Sequence, residues 1–516
     1  MSSDSTYELA NPLAVLLGKS PREFQRADFV KVVEKKNIKR LHFHYTGLDG
    51  RLKELKLPVV NPKQLELLLS EGERVDGSSL FKGVVDPGCS DLYVVPEFKT
   101  AFLNPFDQGG LDFICRYMTK EGNLAPFAPD NILRNASRFF QERTGRKLHA
   151  MGELEFFLIS SAEDNIYPLN IQTGYHESGP FIKSGPILNE ILCLISRVTG
   201  AVKYVHSEVG SIDFIRSDMK EIQGKRAEQL EVEYSPSPVC EMGDALVIGR
   251  WLIRNVAYRH GCVATFIPKI EEGLAGNGLH FHLTLEKDNK NLLVDEKTKR
   301  LSEDALCLIG GLCQHAKVLT AFGNMSASSY LRLVPDQEAP TRVCWSDMNR
   351  NALIRVPLGW SDVKNLAAVI NPQDNFSAGD NIVRQTVELR TPDGSALIHL
   401  ILAGIIMATE WAFVNREKAL VLSDKLYAEA GAFANKEKVK TFPSLPGSCV
   451  ESSRILLENR QFFEREGIFP QAMIEFIAGI LKNENDEVIS QKLQQLPEDS
   501  RLHEFRKIMH RDLHKH

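Results

Sequence analysis

Polar and apolar residues alternate at helical spacing over Asp28–Lys36 and at strand spacing over Arg40-Leu-His-Phe-His-Tyr45, predicting a helix followed by a strand that turns at Gly47-Leu-Asp-Gly50. A second helix is expected over Pro62–Glu71 and a second strand over Asp91–Pro96, with Arg74-Val-Asp-Gly-Ser-Ser79 reading as a loop between them. This first unit is mixed α+β and ends near residue 120. Pro126-Phe-Ala-Pro129 and Asp130 mark a linker and a helix cap, and the helix Asn131–Glu142 feeds a strand that begins near Met151. Strands, helices and long polar insertions then alternate to about residue 395, and helical patterns dominate residues 396–515. The basic tail His510–His516 is expected to fray.

Composition narrows the class. The 516 residues are 43% hydrophobic and 25% charged, ordinary for a globular protein with a large core. A net charge of −5 supplies no basic field, so neither nucleic acid nor an anionic membrane is an expected partner. The start, MSSDSTYELANPL, has no charged segment followed by an apolar one, so the cytoplasm is the expected compartment. The apolar run Ala396–Ala408 contains a histidine and falls short of the ~20 residues of a membrane span, which predicts a buried helix. Nine scattered cysteines without a CxxC pair read as reduced, structural thiols.

Against this background four distant segments repeat one motif. Glu153-Leu-Glu155, Gln229-Leu-Glu231, His280-Phe-His282 and Glu388-Leu-Arg390 each place two polar side chains two residues apart in strand-like sequence. On a strand such residues share a face, so each segment delivers a polar pair to one side of a sheet. Buried carboxylates need a partner or a metal ion. Taken singly, each segment is also compatible with a surface strand, a structural histidine pair or a salt bridge.

Taken in order, the motifs resemble the glutamine synthetase family from about residue 28 to 485. Asp76-Gly-Ser-Ser79 is similar to its N-terminal loop, Gly152-Glu-Leu-Glu-Phe-Phe157 to its first metal strand, and His206-Ser-Glu-Val209 with Gln229-Leu-Glu231 to the next metal motif. Gly276-Asn-Gly-Leu-His-Phe-His282, Tyr330-Leu-Arg-Leu-Val-Pro-Asp-Gln-Glu-Ala-Pro340, Asn349-Arg350 through Ile354-Arg355-Val-Pro357 and Val387-Glu-Leu-Arg-Thr-Pro-Asp393 complete the series.

The resemblance implies an α+β fold: a small β-grasp-like N-terminal domain (25–120) and a large catalytic domain (126–516) with a curved antiparallel sheet and C-terminal helices. It implies a ligase that uses ATP and two or more Mg²⁺ or Mn²⁺ ions to form a γ-glutamyl amide, with L-glutamate and ammonia or a small amine as partners. One ion would be held by Glu155, Glu208 and Glu231 and another by Glu153, His280 and Glu388, an oxygen-rich set suited to hard cations. Arg350, Arg355 and His282 would meet ATP; Arg332, Arg390 and Gly276 would meet the amino acid, the arginines through bidentate geometry. Asp76 from a neighbouring subunit would be the base or ammonium anchor, helped by Tyr175, Ser79 and Glu208, while Glu338 would close the site and accept a proton. A shared site implies a ring-shaped homo-oligomer, expected as a dodecamer.

The chain also departs from the pattern. Residues 210–227 lengthen the link between Glu208 and Glu231, making Asp213, Asp218 and Glu221 rival ligands. A second extension spans 358–385. Thr386 and Met348 stand where basic residues are common, and Ala275 where asparagine is usual. A ligase for a larger amine or polyamine, and a non-catalytic homologue, are the alternatives.

Overall fold

The fold is described from a computed structural model that covers residues 7–162, 166–168, 170–333, 339–359, 366–373, 384–429 and 431–516. The N-terminal elements follow the sequence pattern: helix Arg26–Lys36, hairpin strands Arg40–Thr46 and Leu52–Pro58, helix Pro62–Glu71 and strand Asp91–Pro96. Asn61 caps the second helix by accepting from Gln64 N at 2.9 Å, and Pro62 occupies the first turn, where a missing N–H leaves no bond unmade. The hairpin is antiparallel and Arg40–Thr46 runs parallel to Gly110–Met118; the expected loop Arg74–Ser79 is instead the edge strand Glu73–Asp76, whose pairing with Asp91–Pro96 extends it, followed by the short helix Gly77–Leu80.

A ten-stranded sheet follows. Its central strand, Lys147–Ser160, pairs antiparallel with Arg226–Tyr234 on one side and Leu279–Lys287 on the other. Val202–Ile212 extends the first side; Val387–Leu389, Ile354–Val356 and Trp345–Asp347 extend the second. Period-two alternation sorts the central strand into two faces. Leu148, Ala150, Leu154, Phe156 and Leu158 enter the main core, whereas Glu153 and Glu155 share the opposite face with Phe157 and Ile159. Gly152 sits on the core face, where a Cβ would lie 2.8 Å from the Leu246 side chain.

Helices pack behind the sheet. Ile398–Val414 is buried along nearly its whole length against Glu303–Gly323 and Pro129–Thr144. Among the described residues Glu303–Gly323 is itself long and apolar enough to cross a bilayer, and its apolar window is 83% buried inside the protein. Arg116, on the strand Gly110–Met118, ties the N-terminal sheet to the helices Pro129–Thr144 and Val239–Arg259: it donates to Asp130 Oδ2 at 2.9 Å and to both carboxylate oxygens of Asp244.

The C-terminal tail is ordered instead of frayed. His510, Leu513 and His516 are buried; His510 Nε2 lies 2.9 Å from Ile270 O and Thr265 Oγ1 donates to Leu513 O at 2.8 Å. Leu513 joins Phe157, Ile159, Ile212, Ile215 and Ile222 in a small apolar cluster. One leucine among charges anchors the strap, a feature that the tail's basic composition conceals.

Candidate active site

Backbone register aligns the polar motifs across the large sheet. Glu155 stands opposite Glu231, Glu231 opposite His206, Glu153 opposite His280, His282 opposite Glu388, and Glu388 opposite Arg355. His280 Nδ1 lies 2.9 Å from Glu153 Oε2 and 3.9 Å from both Glu155 Oε1 and Glu388 Oε1. His282 Nε2 is 2.8 Å from Glu153 Oε1, and its Nδ1 is 2.9 Å from the Thr386 hydroxyl. Glu388 accepts from Arg355 Nη1 at 2.8 Å and from Arg390 Nη1 at 2.5 Å. At the other end His206 Nε2 is 2.8 Å from Glu231 Oε2 and His206 Nδ1 is 3.8 Å from Glu208 Oε1.

Among the described residues this sheet carries two groups of possible metal donors, each with its ligand atoms within 4.8 Å of one another: Glu153, His282 and Glu388, and His206, Glu208 and Glu231. The sets implied by the sequence are therefore neighbours in space, with His280 touching Glu153, Glu155 and Glu388, but His206 and His282 crowd in among them. His206 had no role in the sequence reading, although His206-Ser-Glu208 carries the same i,i+2 spacing. Gln229, placed by its motif beside Glu231 but given no role, donates through its amide to Glu155 Oε2 at 2.9 Å and to Gly276 O at 3.2 Å.

The electrostatics are those of an anionic cluster short of cations. Burial, then the charges of Glu153, Glu155, Glu208 and Glu233, push the Glu231 carboxyl well above its ordinary value. Burial raises Glu155 too, with His280 opposing and Glu208 adding to the rise. Burial works against Glu153 and Glu388 as well, but His282 with His280, and His282 with Arg390, hold them below the usual carboxylate range. His280 Nε2 is buried and makes no hydrogen bond among the described residues. Carboxylates that repel one another around an unpaired imidazole nitrogen fit hard divalent cations.

Beside this cluster lies a cavity of about 270 Å³, lined by Glu155, Glu208, Gln229, Ala275, Gly276, His280, Arg332 and Arg390 among others. Arg332 ends the short helix Ala327–Arg332, is buried, and donates to Thr391 O at 3.1 Å. Lys269, also buried, has its ammonium pushed down to about 8 by burial and by Arg332, and it too escaped the sequence reading. A Cβ on Gly276 would meet Pro268 O at 2.3 Å, so glycine there lets two backbone segments close around the cavity.

Other expected residues lie elsewhere. Arg350 is exposed with its guanidinium 5.9 Å from the Tyr175 ring centre, and Tyr175 is 5.6 Å from the His206 ring, so this pair rims the Glu208 end. Asp76 and Ser79 lie at the edge of the N-terminal sheet; Ser79 lines a different cavity, with Lys82 and Phe476. The Asp76 carboxylate accepts from Ser79 Oγ at 2.6 Å, Ser78 Oγ at 2.7 Å and Ser78 N at 2.9 Å, bonds that lower it to about 2. Glu338 and most of the second extension lie outside the described residues. Of the rival ligands, Asp218 lies 3.7 Å from His503 and Glu221 2.8 Å from His514, so both face the C-terminal strap.

Comparison with known proteins agrees with this architecture. Residues 37–120 match the family described as glutamine synthetase, beta-Grasp domain, and residues 127–496 match glutamine synthetase, catalytic domain. A glutamine synthetase of Pyrococcus horikoshii is 31% identical over 72% of this chain and 74% of its own length. That of Escherichia coli K12 is 28% identical over 87% and 94%. Among solved structures, a Plasmodium falciparum glutamine synthetase superposes with a TM-score of 0.71 at 21% identity, covering 92% of this chain and 98% of that one. A chain solved as "Apo GmaS without ligand" gives 0.68 at 20% identity, with the same coverage. Two consecutive domain matches, a shared fold and a sheet that gathers the ordered motifs place the chain in the glutamine synthetase family.

Proposed function

We propose that this ligase joins L-glutamate to ammonia at the expense of ATP, through a γ-glutamyl phosphate, and that its product is glutamine. The observation that carries the reading is the contact of His280 with Glu153, Glu155 and Glu388 at the wall of a cavity that also presents Arg332 and Arg390. Phosphorylating a carboxylate brings two anions together, and Mg²⁺ or Mn²⁺, when bound, supplies the neutralising charge. Glu153, Glu155, Glu208, Glu231, His280 and Glu388 are the proposed ligands, with His206 close enough to replace or orient one of them.

Arg332 and Arg390 would clamp the glutamate carboxylates, and Arg350, Arg355 and His282 would face the phosphates. Asp76, ionised at neutral pH, would anchor and deprotonate ammonium from a second copy of the chain, beside Tyr175, Ser79 and Glu208. Glu338 would close the site. A ring, expected as a dodecamer, follows from that sharing, and the domain division is proposed as 25–120 and 126–516.

One observation favours a second reading, a ligase for a larger amine: Ala275, with its short side chain, is among the residues that line the cavity. Phosphate release with ATP, Mg²⁺, L-glutamate and a panel of amines separates the two. Turnover with ammonium supports glutamine formation, and turnover with larger amines alone overturns it.

A further inference from the structure

We propose that the N-terminal sheet contains a structural Zn²⁺ site formed by His42, His44 and Asp112, with Glu54 beside His42 at its open side. His42 and His44 project from one face of Arg40–Thr46 because they are two residues apart. The parallel register sets Asp112 beside His42, and the hairpin register sets Glu54 opposite His44. One donor atom from each of His42, His44 and Asp112 lies within 4.8 Å of the others. His44 Nε2 is 2.7 Å from Asp112 Oδ2; His42 Nδ1 is 3.8 Å from Asp112 Oδ1 and 2.7 Å from Glu54 Oε1. Donors bound tetrahedrally to Zn²⁺ at about 2.0–2.1 Å lie roughly 3.3 Å apart, inside that spread.

The cluster is also short of positive charge. Asp112 is fully buried, and among the described residues its ion-pair partners are the two imidazoles, with neither lysine nor arginine within reach. Its Oδ2 also accepts from Asn104 Nδ2 at 2.8 Å, while among the described residues its Oδ1 is buried without a hydrogen-bond partner. The nearby cations serve the outer carboxylates: Arg40 holds Asp107 at 2.6 Å and Lys56 meets Glu54 at 3.4 Å. A dication shared by two imidazoles and a carboxylate resolves the imbalance, and this mixed nitrogen and oxygen set suits Zn²⁺.

The surroundings have the form of a supported metal site. His42 directs Nδ1 at the cluster while its Nε2 meets Asp107 Oδ2 at 3.0 Å, the carboxylate support that fixes a liganding imidazole. Glu54 is one-third exposed and provides the entry side. The Trp251 ring, on the helix Val239–Arg259, lies 5.1 Å from His44, so an ion here would clip the hairpin to Gly110–Met118 directly under the contact between the two domains.

Crystals of the full chain grown with Zn²⁺ and measured on both sides of the zinc absorption edge test this. An anomalous peak bonded to His42, His44 and Asp112 is expected, and its absence overturns the site in favour of a hydrogen-bonded cluster with a protonated imidazole. In solution, chelator-stripped protein carrying Glu153→Gln and Glu231→Gln should still bind one Co²⁺ per chain with tetrahedral visible bands. Adding Asp112→Asn should weaken that binding at least about 100-fold, and unchanged binding would refute the assignment; if that variant does not fold, the diffraction result decides alone.

Discussion

Glu153 and His280 stand directly opposite each other on adjacent antiparallel strands, and His280 Nδ1 reaches to 2.9 Å of Glu153 Oε2. The pair joins the central strand to the row that ends at Glu388, and His282 and His280 keep Glu153 ionised despite its burial. Glu153→Gln keeps the shape and removes the charge. Mn²⁺ affinity measured by calorimetry should fall by more than the roughly 10- to 100-fold that loss of even an outer partner costs. Asp76→Asn, remote from the cluster within one chain, should leave that affinity unaltered.

Arg332 and Arg390 make a separate prediction because they line the cavity without belonging to either donor group. Replacing either with lysine keeps the charge and removes the planar fork, and a charge-assisted hydrogen bond is worth about 1.5–3 kcal/mol. Steady-state kinetics should show the KM for glutamate rising about 10- to 100-fold with the KM for ATP little changed. Equal rises in both would remove these arginines from amino-acid binding.

Arg116 links the domains through Asp244. Burial raises the Asp244 carboxyl, but Arg116 and His399 overcome it and hold the pKa far below its ordinary value. A depressed folded pKa contributes stability that is complete above the unfolded value of about 3.9 and is lost as pH falls through the folded one. Arg116→Gln should cost about 3–5 kcal/mol at neutral pH, as breaking a buried pair does. Below about pH 4 the native protein should lose stability faster than the variant. Urea titrations at several pH values check this; parallel curves would contradict it.

The C-terminal strap should govern the insertion between Glu208 and Glu231. Leu513 packs on Ile212, Ile215 and Ile222, and His514 meets Glu221 at 2.8 Å. Leu513→Ala should cost about 2–5 kcal/mol, the usual loss for a buried leucine. Hydrogen exchange over 212–225 should accelerate, and unchanged exchange there would show that the insertion holds itself.

Much of this was legible in the chain because strands and carboxylates obey a short period. The helix Pro62–Glu71 and the strand Asp91–Pro96 carry their own caps and alternation, so their ends could be read locally. The i,i+2 motifs placed Glu153, Glu155, His280 and Glu388 on one face, and the resemblance supplied their order. What stayed hidden depends on register between distant strands. His206 enters the cluster because it pairs with Glu231, and Gln229, opposite Phe157, reaches Glu155 diagonally across the strand pair. Leu513 was invisible for a different reason: its partners are isoleucines some 300 residues earlier in the chain, and nothing in the tail announces them.

The central claim, that the cavity activates a glutamate carboxylate by phosphorylation, is tested most directly by isotope transfer. L-Glutamate labelled with oxygen-18 in its γ-carboxylate is incubated with the full chain, ATP, Mg²⁺ and ammonium, and the released phosphate is analysed by mass spectrometry. An acyl phosphate intermediate requires one labelled oxygen to pass from glutamate to each phosphate formed. Phosphate released without the label would contradict the account, since ATP would then have been split by water.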